Sequence, residues 1–202
     1  MAATDFAISK FKTSLAQGGA RPSLFSVLFD YPTVISDPPT KATFLARAAS
    51  IPASTIGSYD VHYHGKAIRV AGDRTFDTWD TTIFNDEDFG IRKTLENWMS
   101  CISDHTLNIR DKTIFGAENS AEGTSAKYKS KLKVRQYSKA GEILHTYNFE
   151  GAWPSSLSAI TLDWSTASEI EEFVCTWTYD SWSVASNAES SSTGSTTRPP
   201  FT

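Results

Sequence analysis

Cysteine is scarce in this chain, and its two thiols are not arranged as a pair. Cys101 and Cys175 belong to no CxxC motif and to no regular framework of the kind that small secreted domains use for disulfides. Nothing in the cysteine content therefore indicates an oxidising compartment. We expect both thiols to be small buried apolar side chains.

Long apolar runs are also missing. No stretch approaches the roughly 20 apolar residues that a membrane-spanning helix needs. The segment from Met1 to Lys12 lacks the apolar region of a signal peptide. We expect a soluble product, made in the cytoplasm, with no membrane-spanning segment.

An excess of positive charge is the third absent feature. The chain has 19 lysines and arginines against 23 aspartates and glutamates, so its net charge is -4 and its isoelectric point is near 5.6. A protein that wraps nucleic acid by neutralising phosphates needs a concentrated basic surface. Stable or sequence-specific DNA binding is therefore not expected.

Recognisable catalytic and ligand motifs are missing too. The segment 71–74 has one glycine and no lysine, so it is neither a phosphate loop nor a dinucleotide fingerprint. His62 and His64 share a strand face, and His105 and His145 could complete a metal site, but no carboxylate or thiol is tied to them by a known spacing. We favour exposed polar residues and predict no metal and no cofactor.

Two further groups of residues permit chemistry but have simpler explanations. Cys101 and His105 have helical i, i+4 spacing, yet no oxyanion-stabilising or orienting group accompanies them. The run 86–88 is all acidic and could bind Ca²⁺, but a helix start explains the same residues. We therefore predict that the protein is not an enzyme.

The residues that are present indicate one β-rich domain followed by a polar tail. The chain has 202 residues, 40% of them hydrophobic, which is enough for a substantial core. Residues 186–202 are rich in serine, threonine and proline, a composition typical of disorder in isolation. We assign 1–185 to the domain and 186–202 to a C-terminal tail.

Alternating apolar and polar residues predict about eight strands, and the fold class is mainly β. The segment 43–51 fits strand or helix, and we interpret it as strand; 59–70 is a hairpin turning at Gly65. The other predicted strands are 23–30, 75–84, 127–137, 142–151, 157–164 and 169–182.

One helix is predicted over residues 86–103, with Asn85 as its N-cap. Its apolar residues recur at spacings of four, three and four, which places them on one stripe that should pack against a sheet. They are Ile91, Leu95, Trp98 and Ile102.

A row of cations alternates with other residues between Lys127 and Arg135, in the sharpest period-two pattern of the chain. A solvated or ion-paired strand face explains this row best, since exposed lysines also prevent edge-to-edge aggregation. Binding of a partner is the alternative, and the direction in which the row faces is left open.

The first half of the chain contains four ordered segments, which are 48–57 (AASIPASTIG), 70–79 (VAGDRTFDTW), 85–92 (NDEDFGIR) and 96–99 (ENWM). Together they resemble the T4-type tail tube protein family of contractile-tailed bacteriophages. The resemblance runs from about residue 19 to 110, and its opening segment 19–25 fits as well.

This resemblance implies a two-sheet β-sandwich or barrel-like fold with one flanking helix. It also implies a structural virion protein, six copies to a ring, whose rings stack into the tube that conducts DNA into the host during ejection. The implied partners are the protein itself, the tail sheath, the baseplate and tail terminator proteins, and the tape measure protein and DNA in the lumen. Relatives also form inner tubes of contractile injection systems and R-type bacteriocins, so that function is the alternative.

The resemblance further places two contact surfaces. The region 41–75 is expected to form the contact between stacked rings. The simpler interpretation is a hairpin whose charged and apolar groups pair within the subunit. The candidate residues are Ile51, Pro52, Arg69, Asp73 and Arg74. The helix 86–103 is expected on the outer wall facing the sheath, although a solvated face is equally compatible; the candidate residues are Glu87, Arg92, Lys93 and Glu96.

A conduit for DNA should also have a net negative lumen, since each lysine contact adds a salt-dependent attraction to phosphate. We therefore predict that the lysines of the basic row pair with acidic residues such as Glu169 and Glu171, or lie away from the bore.

Overall fold

The structure is a computed structural model that describes residues 8–15, 18–35, 38–39, 41–107, 109, 127–166 and 168–185. The polar tail predicted for 186–202 lies outside the described residues. The structure confirms a mainly β fold with a helix against the sheets.

Nine strands and three helices make up the described chain. In chain order they are α1 (Ile8–Ser14), β1 (Phe25–Phe29), α2 (Ala42–Leu45), β2 (Ala46–Ala49), β3 (Thr55–Tyr63), β4 (Lys66–Thr75), β5 (Trp79–Phe84), α3 (Gly90–Ile102), β6 (Ser130–Tyr137), β7 (Ile143–Leu157), β8 (Glu172–Thr178) and β9 (Ser181–Ala185).

Seven strands form one antiparallel sheet in the order β1-β6-β7-β8-β5-β2, with β9 also paired to β7. The strand β7 is long enough to take part in both layers of the fold. Its first part pairs with β6 and β9 in one layer, and its end pairs with β8 in the other. The strand bends at Gly151, whose φ is +67°. This bend folds the sheet over a shared core, which is the sandwich-like architecture expected from the sequence.

Aromatic side chains from both layers and from α3 fill the core. Trp98 of α3 meets Trp177 of β8 at 5.7 Å between ring centroids, and Trp79 stacks on Phe149 at 4.6 Å. Trp98 Nε1 donates to the carbonyl of Tyr128 at 2.8 Å, so the buried indole N–H is satisfied. Each side chain of this size contributes about 1.5–3 kcal/mol when it leaves water.

The helix α3 begins at Gly90, later than the predicted start at residue 86. Asn85 is not its N-cap, because its amide nitrogen donates to Glu171 Oε2 at 2.9 Å and its backbone N–H to the Glu171 carbonyl. The residue before the helix is Phe89, in the left-handed region with φ 53°. The acidic residues therefore form a turn ahead of the helix.

The predicted apolar stripe of α3 is confirmed at the three positions Ile91, Leu95 and Trp98, which are buried, whereas Ile102 is half-buried. Thr94 is buried beside them. Its hydroxyl donates back to the Gly90 carbonyl at 2.8 Å, so this polar side chain enters the interface without an unpaired group.

Several strand boundaries differ from the predictions. The segment 43–51 is a short helix, α2, followed by β2, so only its second half is strand. Residues 158–164 are not strand, because β7 ends at Leu157. The segment predicted as one strand over 169–182 is two, since β8 and β9 follow the bend of β7 and separate at Tyr179 and Asp180.

Candidate assembly surfaces

Strands β3 and β4 form a two-stranded sheet of their own, which we call the ribbon (residues 55–75). It turns at Gly65, as the sequence predicts, where φ is +77°. All of β3 is exposed, and β4 is exposed except at Val70 and Gly72. An isolated two-stranded ribbon is only marginally stable in water, so the attachment of this one to the rest of the subunit matters for its position.

The pairing register makes the ribbon amphipathic. Tyr59 faces Val70 and Val61 faces Ile68, so these side chains share one face. Tyr63, two positions beyond Val61, extends the same face towards the tip and is 66% exposed. The ribbon thus presents a continuous apolar face to solvent, and such a face marks a contact surface.

The opposite face of the ribbon is polar. Asp60 lies across from Arg69, with Arg69 Nε 3.5 Å from Asp60 Oδ1, and His62 lies across from Ala67. The ion pair is exposed, so it adds little to subunit stability. The exposed apolar side chains are therefore grouped on one face of the ribbon and form a single surface.

The base of the ribbon is anchored to the core through indole N–H groups. Trp79 Nε1 donates to the Ser50 carbonyl at 2.7 Å, and Trp182 Nε1 donates to the Ala53 carbonyl at 3.1 Å. Pro52 between them is buried. The segment leading into the ribbon is therefore held, and the ribbon projects from a defined position.

The structure brings the five predicted ring-stacking residues to the ribbon and its base, but in different environments. Ile51 is 51% exposed, whereas Pro52 is buried and is a support for the base rather than a free contact. Arg69 pairs within the ribbon, and Asp73 and Arg74 are exposed near its base. Sequence reasoning missed the apolar face itself, because alternation reveals two faces but not which one lacks cover.

The opposite end of the sheet is acidic. Lys41 Nζ lies 3.2 Å from Asp86 Oδ2 and 3.3 Å from Asp88 Oδ2, and these hydrogen bonds raise the pKa of the lysine. The pKa of Asp88 is lowered, first by the hydrogen bond from the Gly90 N–H and then by Lys41. Glu172, at the start of β8, pairs with Arg47.

The four predicted sheath-facing residues lie on or just before α3, and three of them have exposed side chains. Glu87 and Lys93 are exposed, and the Glu96 carboxylate is 46% exposed. Arg92 is only 19% exposed: its Nε lies 2.9 Å from Glu96 Oε1, Nη1 donates to the Ser158 carbonyl at 3.1 Å, and its guanidinium lies over the Phe173 ring. Arg92 therefore joins α3 to the sheet.

The basic row runs from the turn before β6 into that strand, and two of its lysines are paired with carboxylates, as expected. The partners differ from the predicted Glu169 and Glu171: Lys129 Nζ lies 3.1 Å from Asp180 Oδ2, and Lys131 Nζ lies 3.0 Å from Glu150 Oε2. Glu150 lies on β7, which pairs with β6, and Asp180 lies in the turn between β8 and β9, where its N–H donates to the Glu150 carbonyl. The fold of the sheet therefore brings both partners to the lysines.

The thiols and imidazoles are dispersed. Cys175 is fully buried and its pKa is raised by burial, which makes it a structural residue, and Cys101 is half-buried. His62 and His64 lie at the ribbon tip. Within the described ranges, no group of three or more histidines, thiols or carboxylates is arranged to hold a metal ion.

No helix in the described part of the chain has both the length and the apolar character needed to cross a membrane.

Comparison with known sequences gives matches over most of the chain. The family model for phage tail tube proteins matches residues 20–185. The chain is 32% identical over 164 residues to the tail tube protein of Enterobacteria phage T4, covering 81% of this chain and 90% of that protein. It is 23% identical over 177 residues to the tail tube protein of Serratia phage KSP90, covering 85% and 93%.

Comparison with solved structures gives the same type of fold. A chain of the anti-feeding prophage baseplate superposes with a TM-score of 0.53 at 9% identity, over 84% of this chain and 97% of that chain. A chain of the sheath/tube terminator of an extracellular contractile injection system superposes with a TM-score of 0.51 at 15% identity, over 83% and 97%. At these identities the likeness concerns the fold alone.

Proposed function

The chain belongs to the phage tail tube protein family, and from this premise we propose that its subunits form six-membered rings that stack into the DNA conduit of a contractile tail. Two relatives that exceed 30% identity are the tail tube proteins of Enterobacteria phages T4 and T6. This favours a genome as the cargo over the protein cargo of an injection system. The protein is then a structural part of the virion tail, assembled in the host cytoplasm, with no catalytic role.

The observation that carries this proposal is the uncovered apolar face of the ribbon. Tyr59, Val61 and Ile68 are each between 44% and 56% exposed in the isolated subunit. When another copy covers these side chains, apolar surface leaves water, and each Å² buried stabilises the assembly by about 25 cal/mol. A heterologous contact of this kind closes into a ring or repeats along an axis, and a tube needs both.

Within this assembly, the ribbon and its base contribute the stacking contact. Ile51 supplies apolar area, and Arg69, Asp73 and Arg74 supply charges on the exposed strand β4. Pro52 acts from inside the subunit, by holding the base of the ribbon in place. The sheath contact belongs to the solvent-accessible side chains on or just before α3, which are Glu87, Lys93 and Glu96.

The charges of the strands favour one face for the lumen. Strand β6 carries two lysines and an arginine, whereas β5 and β8 carry one acid each and no lysine or arginine. Asp80 is exposed on β5 and lies beside Thr176, which lies beside Ser156 on β7. We assign this acidic and hydroxyl-bearing row to the bore, since DNA must not bind the wall it passes.

The remaining partners follow from the same role. A tube of this kind starts on a baseplate, ends at a tail terminator protein, is surrounded by a sheath and holds a tape measure protein and then DNA. Two of the solved structures with the same type of fold come from a baseplate and from a sheath/tube terminator, which supports such surroundings.

Negative-stain electron microscopy of the purified full chain tests the proposal. We expect rings or stacked tubes with a central hole, whereas monomers that persist at high concentration would contradict it. Val61→Asp should prevent assembly, because it places a charge on the apolar face, and the adjacent His62→Asp, on the polar face, should not. Circular dichroism checks that both variants fold.

A further inference from the structure

The connection between β7 and β8 carries apolar side chains that are exposed in the described part of the subunit. In this segment, which we call the 158–171 loop, Leu162 is 78% exposed, Trp164 is 103% exposed and Ile170 is 69% exposed. The Asp163 carboxylate accepts hydrogen bonds from the Ser165 N–H at 2.9 Å and from its hydroxyl at 2.8 Å. The tryptophan is thus presented from an ordered turn, in contact with solvent on all sides.

The 158–171 loop and the ribbon leave opposite ends of the same strands. Strand β5 begins at Trp79, beside the base of the ribbon, and ends at Phe84, which pairs with Glu172 at the end of the 158–171 loop. The neighbouring strand β2 runs the other way and ends where the segment to the ribbon begins. The two exposed apolar surfaces therefore lie at opposite ends of the subunit.

The charges of the two surfaces are complementary. The 158–171 loop contains three carboxylates, Asp163, Glu169 and Glu171, and no lysine or arginine. The ribbon contains three cations against two carboxylates, and its cations are Lys66, Arg69 and Arg74. Complementary potentials of this kind orient two surfaces and fix their register.

We propose that the 158–171 loop is the docking surface for the ribbon of a second copy of this chain in the next ring. The inference rests on the proposed function and names the acceptor of the stacking contact. Trp164 would pack against the ribbon's apolar face, where Tyr59 and Tyr63 offer aromatic partners. Because donor and acceptor lie at opposite ends of one subunit, each added ring presents a new acceptor, and the tube can extend.

A photocrosslinking amino acid at position 164 tests this directly in tubes assembled from the full chain. We expect intermolecular crosslinks that map by mass spectrometry to peptides within 55–75 and that vanish when the tubes are dissociated. The same probe at Leu107, which is 66% exposed and outside both surfaces, should not reach the ribbon. Crosslinks from position 164 to any other part of the chain, or to the sheath alone in sheathed tails, would overturn the inference.

Assembly of variants gives a second test. Trp164→Ala and Glu169→Lys should each leave single rings and remove stacked tubes from the pelleted fraction, while Leu107→Ala should leave tube yield unchanged. Long, stable tubes from Trp164→Ala would refute the role of the 158–171 loop. If the unsubstituted chain forms neither rings nor tubes, the proposed function itself fails; if it forms tubes but position 164 crosslinks elsewhere, this inference fails alone.

Discussion

The side chain of Asp180 lies directly over the Cα of Gly151, at the point where β7 bends between the two layers. A Cβ built on Gly151 would come within 2.6 Å of Asp180 Cγ, and the Asp180 N–H donates to the Glu150 carbonyl at 3.0 Å. The same carboxylate pairs with Lys129. This corner joins the basic strand to the bend that folds the sheet.

Gly151→Ala should therefore destabilise the subunit by roughly 2–4 kcal/mol, because it adds a clash to the strain of a positive φ. Gly141→Ala is the matched control, since Gly141 also has a positive φ, 86°, but has open space where its Cβ would lie. Urea unfolding measures both. Equal losses in the two variants would show that the approach of Asp180 contributes nothing.

Trp98→Ala should lower the free energy of unfolding by about 3–5 kcal/mol, because it leaves a cavity in the core and removes the indole donor of the Tyr128 carbonyl. Trp164→Ala, at a fully exposed tryptophan, should change the free energy of unfolding by less than about 0.5 kcal/mol. Chemical denaturation followed by circular dichroism compares them. A large loss for Trp164→Ala would mean that this residue supports the subunit instead of an interface.

Subunit stability should fall in acid partly through Asp88. Its pKa is lowered in the folded state, first by the Gly90 N–H and then by Lys41, so its contribution is complete above the unfolded pKa near 3.8 and is lost as the pH falls through the folded value. Asp88→Asn should therefore flatten the dependence of unfolding free energy on pH below about 5. Glu87→Gln, one position earlier and also exposed, serves as the control, and an unchanged profile for Asp88→Asn would contradict the assignment.

Lys93→Glu should weaken sheath assembly around the tube without stopping tube formation, because it reverses an exposed charge on the face assigned to the sheath. Sedimentation of tubes with purified sheath protein measures the effect. Arg92 is unsuitable for this test, since its hydrogen bond to the Ser158 carbonyl and its contact with the Phe173 ring of β8 hold α3 on the sheet. Undiminished sheath binding by Lys93→Glu would reject this outer face.

Asp80→Lys should slow DNA release from virions that carry the variant tube, and more so at low salt, because a lysine in the bore attracts phosphate. Lys133→Glu, on the face assigned away from the bore, should leave release unchanged. Release is followed by the fluorescence of a DNA dye after ejection is triggered. The opposite pattern, with Lys133→Glu altering the rate and Asp80→Lys not, would place β6 in the lumen.

Much of the architecture could be predicted from the sequence, because it depends on the local periodicity of apolar residues. The alternation around Val61 and the turn at Gly65 predicted the ribbon hairpin, and the spacing of Ile91, Leu95 and Trp98 predicted the buried face of α3. The predicted start of α3 was wrong because Asn85 bonds to Glu171 and so continues the pairing of β5 with the segment before β8. That partner is distant in sequence. Local capping signals do not include such a contact.

The candidate surfaces were accessible only in part. Family resemblance located the ribbon region, and the expected DNA conduit led us to predict that the lysines of the basic row pair with carboxylates or lie away from the bore. The partners Asp180 and Glu150 reach the lysines only in the folded sheet, and Trp164 is exposed because no described residue packs over its loop. Arg92 appeared to be a surface charge and is instead a contact between α3 and the sheet.

By itself, the sequence determined the β-rich class, the family, the amphipathic pattern of the ribbon and the acidic balance of the chain, because these follow from residue order and composition. The tertiary structure decided which apolar faces stay uncovered and which charges meet. Burial and pairing are set by strands far apart in sequence, so the same alternation of residues can face a core or the solvent. The ribbon and the 158–171 loop became recognisable as two ends of one subunit only when the strands between them were in register.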